Sequence, residues 1–455
     1  MPATRMLLLW TSWLASGMVQ AAKHHERGLE VRITVADGLL NASTDGRVSL
    51  MFAPAGADVL GGSDVTSEPP NKMFGLNVYN LASGGTIALS GGSGADSGLY
   101  TRTGVYGWPI VSLSDVAPGN YTVQAFFNKY EKVTRSDGSA VSVRFPCGDG
   151  ATNVDGYGSL ETGAIDVQVL NGTQTLHVIF NNISAPETFT GNEVGGCSQG
   201  NYEDTEYLKY IKVRSHKLSE FWRRDMYVGA NVLLPHGYNA SDKSTRYPVV
   251  YSQGHWPADS GAFRYPTANY SKAWNAGIIP GAGGAANRTA PKMIMVTFRH
   301  EAPFYDDSYG VNSANMGPYG DAINDELILG TIDKQFNTIP HAYGRIAEGG
   351  STGGWISAAN IVYRPDVFGA CFSSYPDSLD FHRHQDIPLY DNVNAYYHTD
   401  GSAIGSIRTF RNETEVVLAT VQDENHWELT FGTSSRSSLQ WEYVTDALAL
   451  CGVCH

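Results

Sequence analysis

At 455 residues the chain exceeds what one ordinary hydrophobic core holds, so two domains are expected. Its composition, 42% apolar and 17% charged, is that of a globular protein, and 50 glycines predict many tight turns. A net charge of −14 excludes nucleic acid and anionic membrane surfaces as partners, because both call for clustered Lys and Arg.

Residues 1–21 read as a signal peptide. Arg5 supplies the basic start, Met6–Trp10 and Leu14-Ala15 a short apolar stretch, and Val19-Gln20-Ala21 a small-residue cleavage site. That stretch is shorter than the roughly 20 apolar residues of a spanning helix, so the expectation is a secreted protein with no membrane span. Asn-x-Ser/Thr sequons at Asn41, Asn120, Asn171, Asn182, Asn239, Asn269, Asn287 and Asn412 agree with export and glycosylation. Of five cysteines, Cys147 and Cys197 can pair in an oxidising compartment, and Cys371 sits in an apolar run as a buried thiol. Cys451 and Cys454, with His455, lack the second ligand pair of a zinc site and the strand–helix setting of a redox site.

From 28 to 215 the pattern is short strands and turns. Leu29–Ala36, Val48–Ala53, Tyr121–Phe127, Ala140–Phe145 and Thr175–Phe180 alternate apolar and polar residues, and Leu208–Arg214 comes last. This predicts an all-β sandwich-like domain, with Asn80–Gly98 as a Gly/Ser-rich surface loop. The character changes from 218 to 450. Short apolar runs at Asp225–Leu234, Tyr247–Ser252, Met293–Phe298 and Val367–Phe372 alternate with helical patterns. One helix begins at Asp321 as N-cap and carries Ile323, Leu327, Ile328, Ile332 and Phe336; another covers Trp355–Tyr363. The second domain is therefore α/β, with a mostly parallel sheet flanked by helices.

Between a predicted strand and a predicted helix stands Gly349-Gly350-Ser351-Thr352-Gly353, a Gly-x-Ser-x-Gly. A nucleophile on so sharp a turn needs small residues on both sides, and Gly349 and Gly353 let the strand and helix backbones close on it. The Ser351 hydroxyl is then exposed above the sheet, where the helix N-terminus favours developing negative charge. A flexible Gly/Ser loop is the competing reading, and the strand–turn–helix series favours the nucleophile. Acyl transfer also needs two N–H groups aimed at the oxyanion. Thr352 supplies one, and His255 or Trp256, in the loop Gln253-Gly254-His255-Trp256, supplies the other.

Several stretches together resemble the enterochelin-esterase-like branch of the α/β-hydrolase superfamily. They are Val249–His255, His300–Tyr309, Val311–Asn315, Gly317–Ile323, Gly349–Trp355, Tyr375–Phe381 and Asn394–Tyr397, with Phe126–Lys132 resembling the β-rich domain that precedes the hydrolase in multidomain members. The resemblance implies an α/β-hydrolase fold in which the acid and the histidine follow the serine on later strands. In the family both come after a segment like Val417 to Trp441, so the resemblance implies a chain truncated before its last strands. Within the chain the candidates are Asp423 and His426 behind the run Val416–Ala419, and His384. Acid and base need separate strand ends to converge on one serine, so the expectation is that no histidine reaches Ser351 Oγ.

Two further clusters are read as structural. Lys23-His24-His25 makes a solvated tail, and Asp306-Asp307 with Asp321, Asp325 and Glu326 has no His or Cys at ligand spacing. The sequence thus predicts a secreted serine carboxylic-ester hydrolase that forms an acyl-enzyme on Ser351, without metal or organic cofactor. Its partner is a small-molecule or polymer-linked ester. The alternatives are a catalytically silent, polymer-binding protein on the same fold, and acyl transfer or peptide cleavage.

Overall fold

A computed structural model describes residues 28–91, 104–144, 158–184, 204–254, 268–281, 283, 285–299, 308–380, 382–384 and 387–431. The leader-like segment, Cys147, Cys197, Asp306-Asp307 and the terminal Cys-x-x-Cys lie outside the described residues.

The alternating residues of Leu29–Val35 place Val31, Ile33 and Val35 on one buried face. This strand is the centre of a three-stranded sheet, parallel to Gln174–Phe180 and antiparallel to Thr86–Ser90. Thr86–Ser90 falls inside the stretch expected to be a loop; Ile87 and Leu89 alternate with exposed residues and bury against the core, which suffices for a strand. A second, eight-stranded sheet is built around Thr44–Pro54 and the long strand Gly119–Thr134. The inner faces of the two sheets meet in one apolar core that includes Val31, Ile33, Leu89 and Val178 with Val48, Leu50, Phe52 and Phe127. The unit is a β-sandwich.

The α/β unit holds a six-stranded sheet, numbered here in chain order: β1 Leu208–Ser215, β2 Met226–Leu233, β3 Val249–Gln253, β4 Ile294–Arg299, β5 Arg345–Ser351 and β6 Ala370–Pro376. Their order in space is β1-β2-β4-β3-β5-β6, with β4, β3, β5 and β6 parallel and β2 antiparallel to both of its neighbours. Leu208–Arg214, by its alternation, reads as the last strand of the β-rich run, but the strand Leu208–Ser215 pairs with β2 and is the first strand of the second sheet. Alternation reports one buried face and not which sheet supplies the neighbour.

Helix α1 (His216–Trp222) follows β1, α2 (Ala268–Asn275) follows β3, and α3 (Thr352–Tyr363) follows β5. Between β4 and β5 a helical run opens at Tyr319–Asp321, continues as the π-helix Ala322–Ile332 and closes at Asp333–Gln335. Asp321, expected as its N-cap, lies inside this run. Pro318 occupies the cap position, Asn312 Oδ1 accepts from the Asp321 N–H at 2.9 Å, and the Asp321 carboxylate faces Lys217 and Arg364. Ile323, Leu327, Ile328 and Ile332 pack with Leu218, Trp222, Tyr251, Val296 and Phe298 into the core of the unit.

Two seams join the units. At the first, Arg135 at the tip of the long strand donates to the Asn315 carbonyl at 3.1 Å, and its guanidinium lies 5.5 Å from the Trp222 ring. Trp222 Nε1 in turn donates to Met316 O at 3.0 Å. At the second seam, the hairpin of Gly405–Arg411 and Thr414–Thr420 leads into helix α4 (Val421–Phe431), which packs on the outer face of the eight-stranded sheet. Ala419, Trp427 and Phe431 there join Met51, Ala53, Met73, Trp108 and Phe126. Thr44–Pro54 is thereby buried on both faces, in keeping with its unbroken apolar run Leu50-Met51-Phe52-Ala53.

The last turn of α4 is capped by Arg47. Its guanidinium, 1% exposed, donates to Thr430 O at 3.2 Å, to Leu429 O and to Asn77 Oδ1 at 2.9 Å. Burial pushes its pKa down to about 10, so the group remains a cation at neutral pH and suits the negative end of the helix. Arg47→Leu removes the buried donor from the last turn of α4, leaving Thr430 O without it, and should cost about 2–4 kcal/mol. A urea midpoint equal to that of the parent chain would contradict this.

Candidate active site at Ser351

β5 lies inside the parallel part of the sheet, between β3 and β6, and α3 begins one residue beyond its end. Ser351 makes the turn with φ 57° and ψ −126°, a region that a residue with a Cβ enters only under strain. The surrounding glycines are a steric requirement. A Cβ on Gly349 would lie 2.4 Å from the Gly353 carbonyl group, and one on Gly353 would lie 2.3 Å from Gln253 O. The second contact also sets the start of the loop after β3 against the start of α3.

The Ser351 side chain is exposed and does not cap α3. The helix N-terminus therefore keeps first-turn N–H groups uncapped by Ser351, starting with that of the buried Thr352. Beneath the turn, Ser357 Oγ donates to Gly353 O at 2.8 Å, and Asn324 of the π-helix donates to Asn360 of α3 at 3.2 Å. Trp355, Ile356 and Ala359 pack with Tyr309 and Val311. The elbow is thus fastened to strand, helix and loop at once. A sheet ordered β1-β2-β4-β3-β5-β6, with a strained serine elbow closing β5, decides the fold. The second unit is an α/β-hydrolase core.

Asp377, just beyond β6, is the carboxylate next to Ser351. Its N–H donates to Ser351 O at 3.3 Å, and its Oδ1 lies 3.4 Å from Ser351 Oγ. Its Oδ2 accepts from Thr352 Oγ1 at 2.7 Å and from Tyr309 Oη at 3.3 Å. The family-like stretch Tyr375–Phe381 contains Asp377 without giving it a role, because pairing of β5 with β6 is what brings it to the elbow.

Among the described residues, the candidate acid and base Asp423 and His426 take other partners. His255 and Trp256 lie outside the described residues; Gly254, which precedes them, is buried beside Gly353. Asp423 caps the N-terminus of α4, accepting from Thr420 N at 3.0 Å and Thr420 Oγ1 at 2.7 Å. His426, on the same helix, sets its ring edge-on to Tyr396. His384 lies on a two-residue strand paired with Ile387. Among the described residues no hydrogen bond joins a histidine to Ser351, and none joins Asp423 to His426. His382 bonds Asp380 at 2.6 Å, which raises the imidazole above the ordinary histidine range in a fully exposed pair.

The described members of the acidic cluster, Asp321, Asp325 and Glu326, have structural partners. Glu326 accepts from the N–H groups of His216 and Lys217 at the start of α1, and Asp325 pairs with Arg364 at 2.9 Å. No group of three or more His, Cys, Asp or Glu among the described residues could hold a metal ion. Among them, too, no helix is long and apolar enough to cross a membrane.

No family model matches the chain. It is 30% identical over 174 residues to an endo-1,4-β-xylanase/feruloyl esterase of Xylanibacter ruminicola, a match over 37% of this chain and 23% of that protein. The chain thus spans about a quarter of that relative's length. Among solved structures it is similar to a ferulic acid esterase at 19% identity, over 37% of this chain and 61% of that one, with a TM-score of 0.27. It is also similar to a fluorophosphonate-binding serine hydrolase of Staphylococcus aureus at 17% identity, over 38% and 58%, with a TM-score of 0.26. A ferulic acid esterase of Anaeromyces mucronatus matches at 20% identity, over 40% and 63%, with a TM-score of 0.26. The fold assignment rests on the sheet order and the elbow.

If the elbow glycines act sterically, Gly353→Ala should lower stability by about 1–3 kcal/mol, the usual cost of overpacking. Thermal unfolding checks this, and an unchanged transition would mean that the Gln253 loop yields freely.

Proposed function

We propose that the chain is a carboxylic-ester hydrolase that forms an acyl-enzyme on Ser351. The observation that carries this reading is the strained, exposed Ser351 at the junction of β5 and α3, with the Gln253-Gly254 backbone against the same helix end. Strain of this kind persists where the surrounding structure is built to hold one group in place. The N–H of Thr352 would stabilise the tetrahedral oxyanion, together with an N–H from the loop at His255 and Trp256. Attack of Oγ on the ester carbonyl expels the alcohol, and water then releases the acid. The likeness to a protein named for feruloyl esterase activity supports an ester of an aromatic acid as substrate, free or polymer-linked.

A second reading is supported by the bonding of Ser351 to a carboxylate, Asp377, rather than to an imidazole. In it the hydrolase core is a scaffold and the protein binds an ester-bearing polymer without cleaving it. A fluorophosphonate probe separates the two, since an activated serine reacts and an unassisted hydroxyl does not. We expect labelling that Ser351→Ala abolishes, with a loss of aryl-ester turnover of at least about a thousandfold. Absence of labelling on the folded parent chain would favour the binding reading.

We also propose export and N-glycosylation. The leader-like sequence supports this, as do the seven sequon asparagines with described side chains, Asn41, Asn120, Asn171, Asn182, Asn239, Asn287 and Asn412, all of which are exposed. Expression in a glycosylating host should give secreted protein whose electrophoretic mobility increases after N-glycosidase treatment. Retention inside the cell with unchanged mobility would refute it.

A further inference from the structure

Next to the elbow the pairing of β5 with β6 is irregular. The strands run in register from Ile346↔Ala370 to Gly350↔Ser374, and then Ser351 pairs with Pro376. Tyr375 is the extra residue of this bulge, and its φ of 33° is a strained value for a side chain of its size. Its ring lies against Gly350. A Cβ there would stand 2.6 Å from Tyr375 Oη, 2.7 Å from Cζ and 2.8 Å from Cε2. The absent side chain of Gly350 is therefore the seat of the ring. Yet the tyrosine is 79% exposed, so burial does not account for it. On its far side the chain is held at once, through the Asp377 N–H to Ser351 O and the contact of Asp377 Oδ1 with Ser351 Oγ.

An aromatic ring is thus kept one residue from the reactive hydroxyl, at a cost in backbone strain and with no return in core packing. Bulges beside active sites commonly re-aim a side chain toward a ligand. We propose that Tyr375 is a specificity-determining residue, whose ring face receives a planar, conjugated group bonded directly to the ester carbonyl. The inference rests on Ser351 being the ester site. Offset stacking on a fixed ring favours a flat aromatic or cinnamoyl-type group over a flexible alkyl chain, which gains no such contact and loses rotamer freedom.

The test uses binding, so that it does not depend on turnover. In the full chain carrying Ser351→Ala, methyl cinnamate should bind at least fivefold more tightly than methyl hexanoate, as measured by isothermal titration. Tyr375→Phe, which keeps the ring, should retain the preference. Tyr375→Leu, which keeps bulk without a π face, should reduce it to less than twofold. Because the ring is exposed, both variants should unfold within a few degrees of the parent. Equal binding of the two esters to the Tyr375-containing chain overturns the proposal, as does a preference that survives Tyr375→Leu. Loss of fluorophosphonate labelling on Ser351 with this preference intact would sink the hydrolase reading and leave Tyr375 as a recognition residue.

Discussion

A single backbone turn organises the α/β unit. Ser351 sits at a φ of 57°, and that value is tenable only because the chain on either side can come within contact distance of its neighbours. Holding one residue there costs roughly 1–3 kcal/mol. That cost is offset by many modest contacts: the parallel ladder to β3 and β6, the packing of Trp355 and Ile356 on Tyr309, and the buried Asn324–Asn360 bond. Because the turn is tied to strand, helix and loop together, the hydroxyl has a defined position and an N-terminal helix field beneath it.

The same turn explains why β6 matters more to the site than its exposure suggests. Its residues are mostly open to solvent, and among the described residues it has a strand neighbour on one side only. It nevertheless delivers Tyr375 and Asp377 to either side of Ser351 through one irregular step in register. The bulge converts an edge strand into a source of side chains for the elbow, with Gly350 making room for the ring.

The β-sandwich is bound to the hydrolase core through charge as well as apolar contact. Arg135 reaches across to Asn315 beside Trp222, while Arg47 closes the C-terminal end of α4. Each guanidinium donates to more than one acceptor at once, which a planar, multi-donor side chain can do. The hairpin and α4 cover the outer face of the eight-stranded sheet, so segments far apart in sequence share one apolar cluster.

Local pattern was enough to read the β-rich run, the α/β alternation and the serine turn. Alternating burial at Leu29–Val35 and the glycines around Ser351 follow from pleat geometry and from steric exclusion, which act over a few residues. Pattern misled where the partner lay elsewhere in the chain. Leu208–Arg214 alternates like a sandwich strand but pairs with β2. Asp423 and His426, where acid and base were not expected to converge on one serine, make a helix cap and a ring contact on α4. Asp377 and Tyr375 lie in the family-like stretch Tyr375–Phe381, yet nothing in that stretch assigns them to the serine, because their nearness to Ser351 is a property of strand register. The sequence by itself determined the turn, since sterics at Gly349 and Gly353 are local. Only the tertiary structure decided what surrounds it, since register and sheet order are set by burial summed over distant segments.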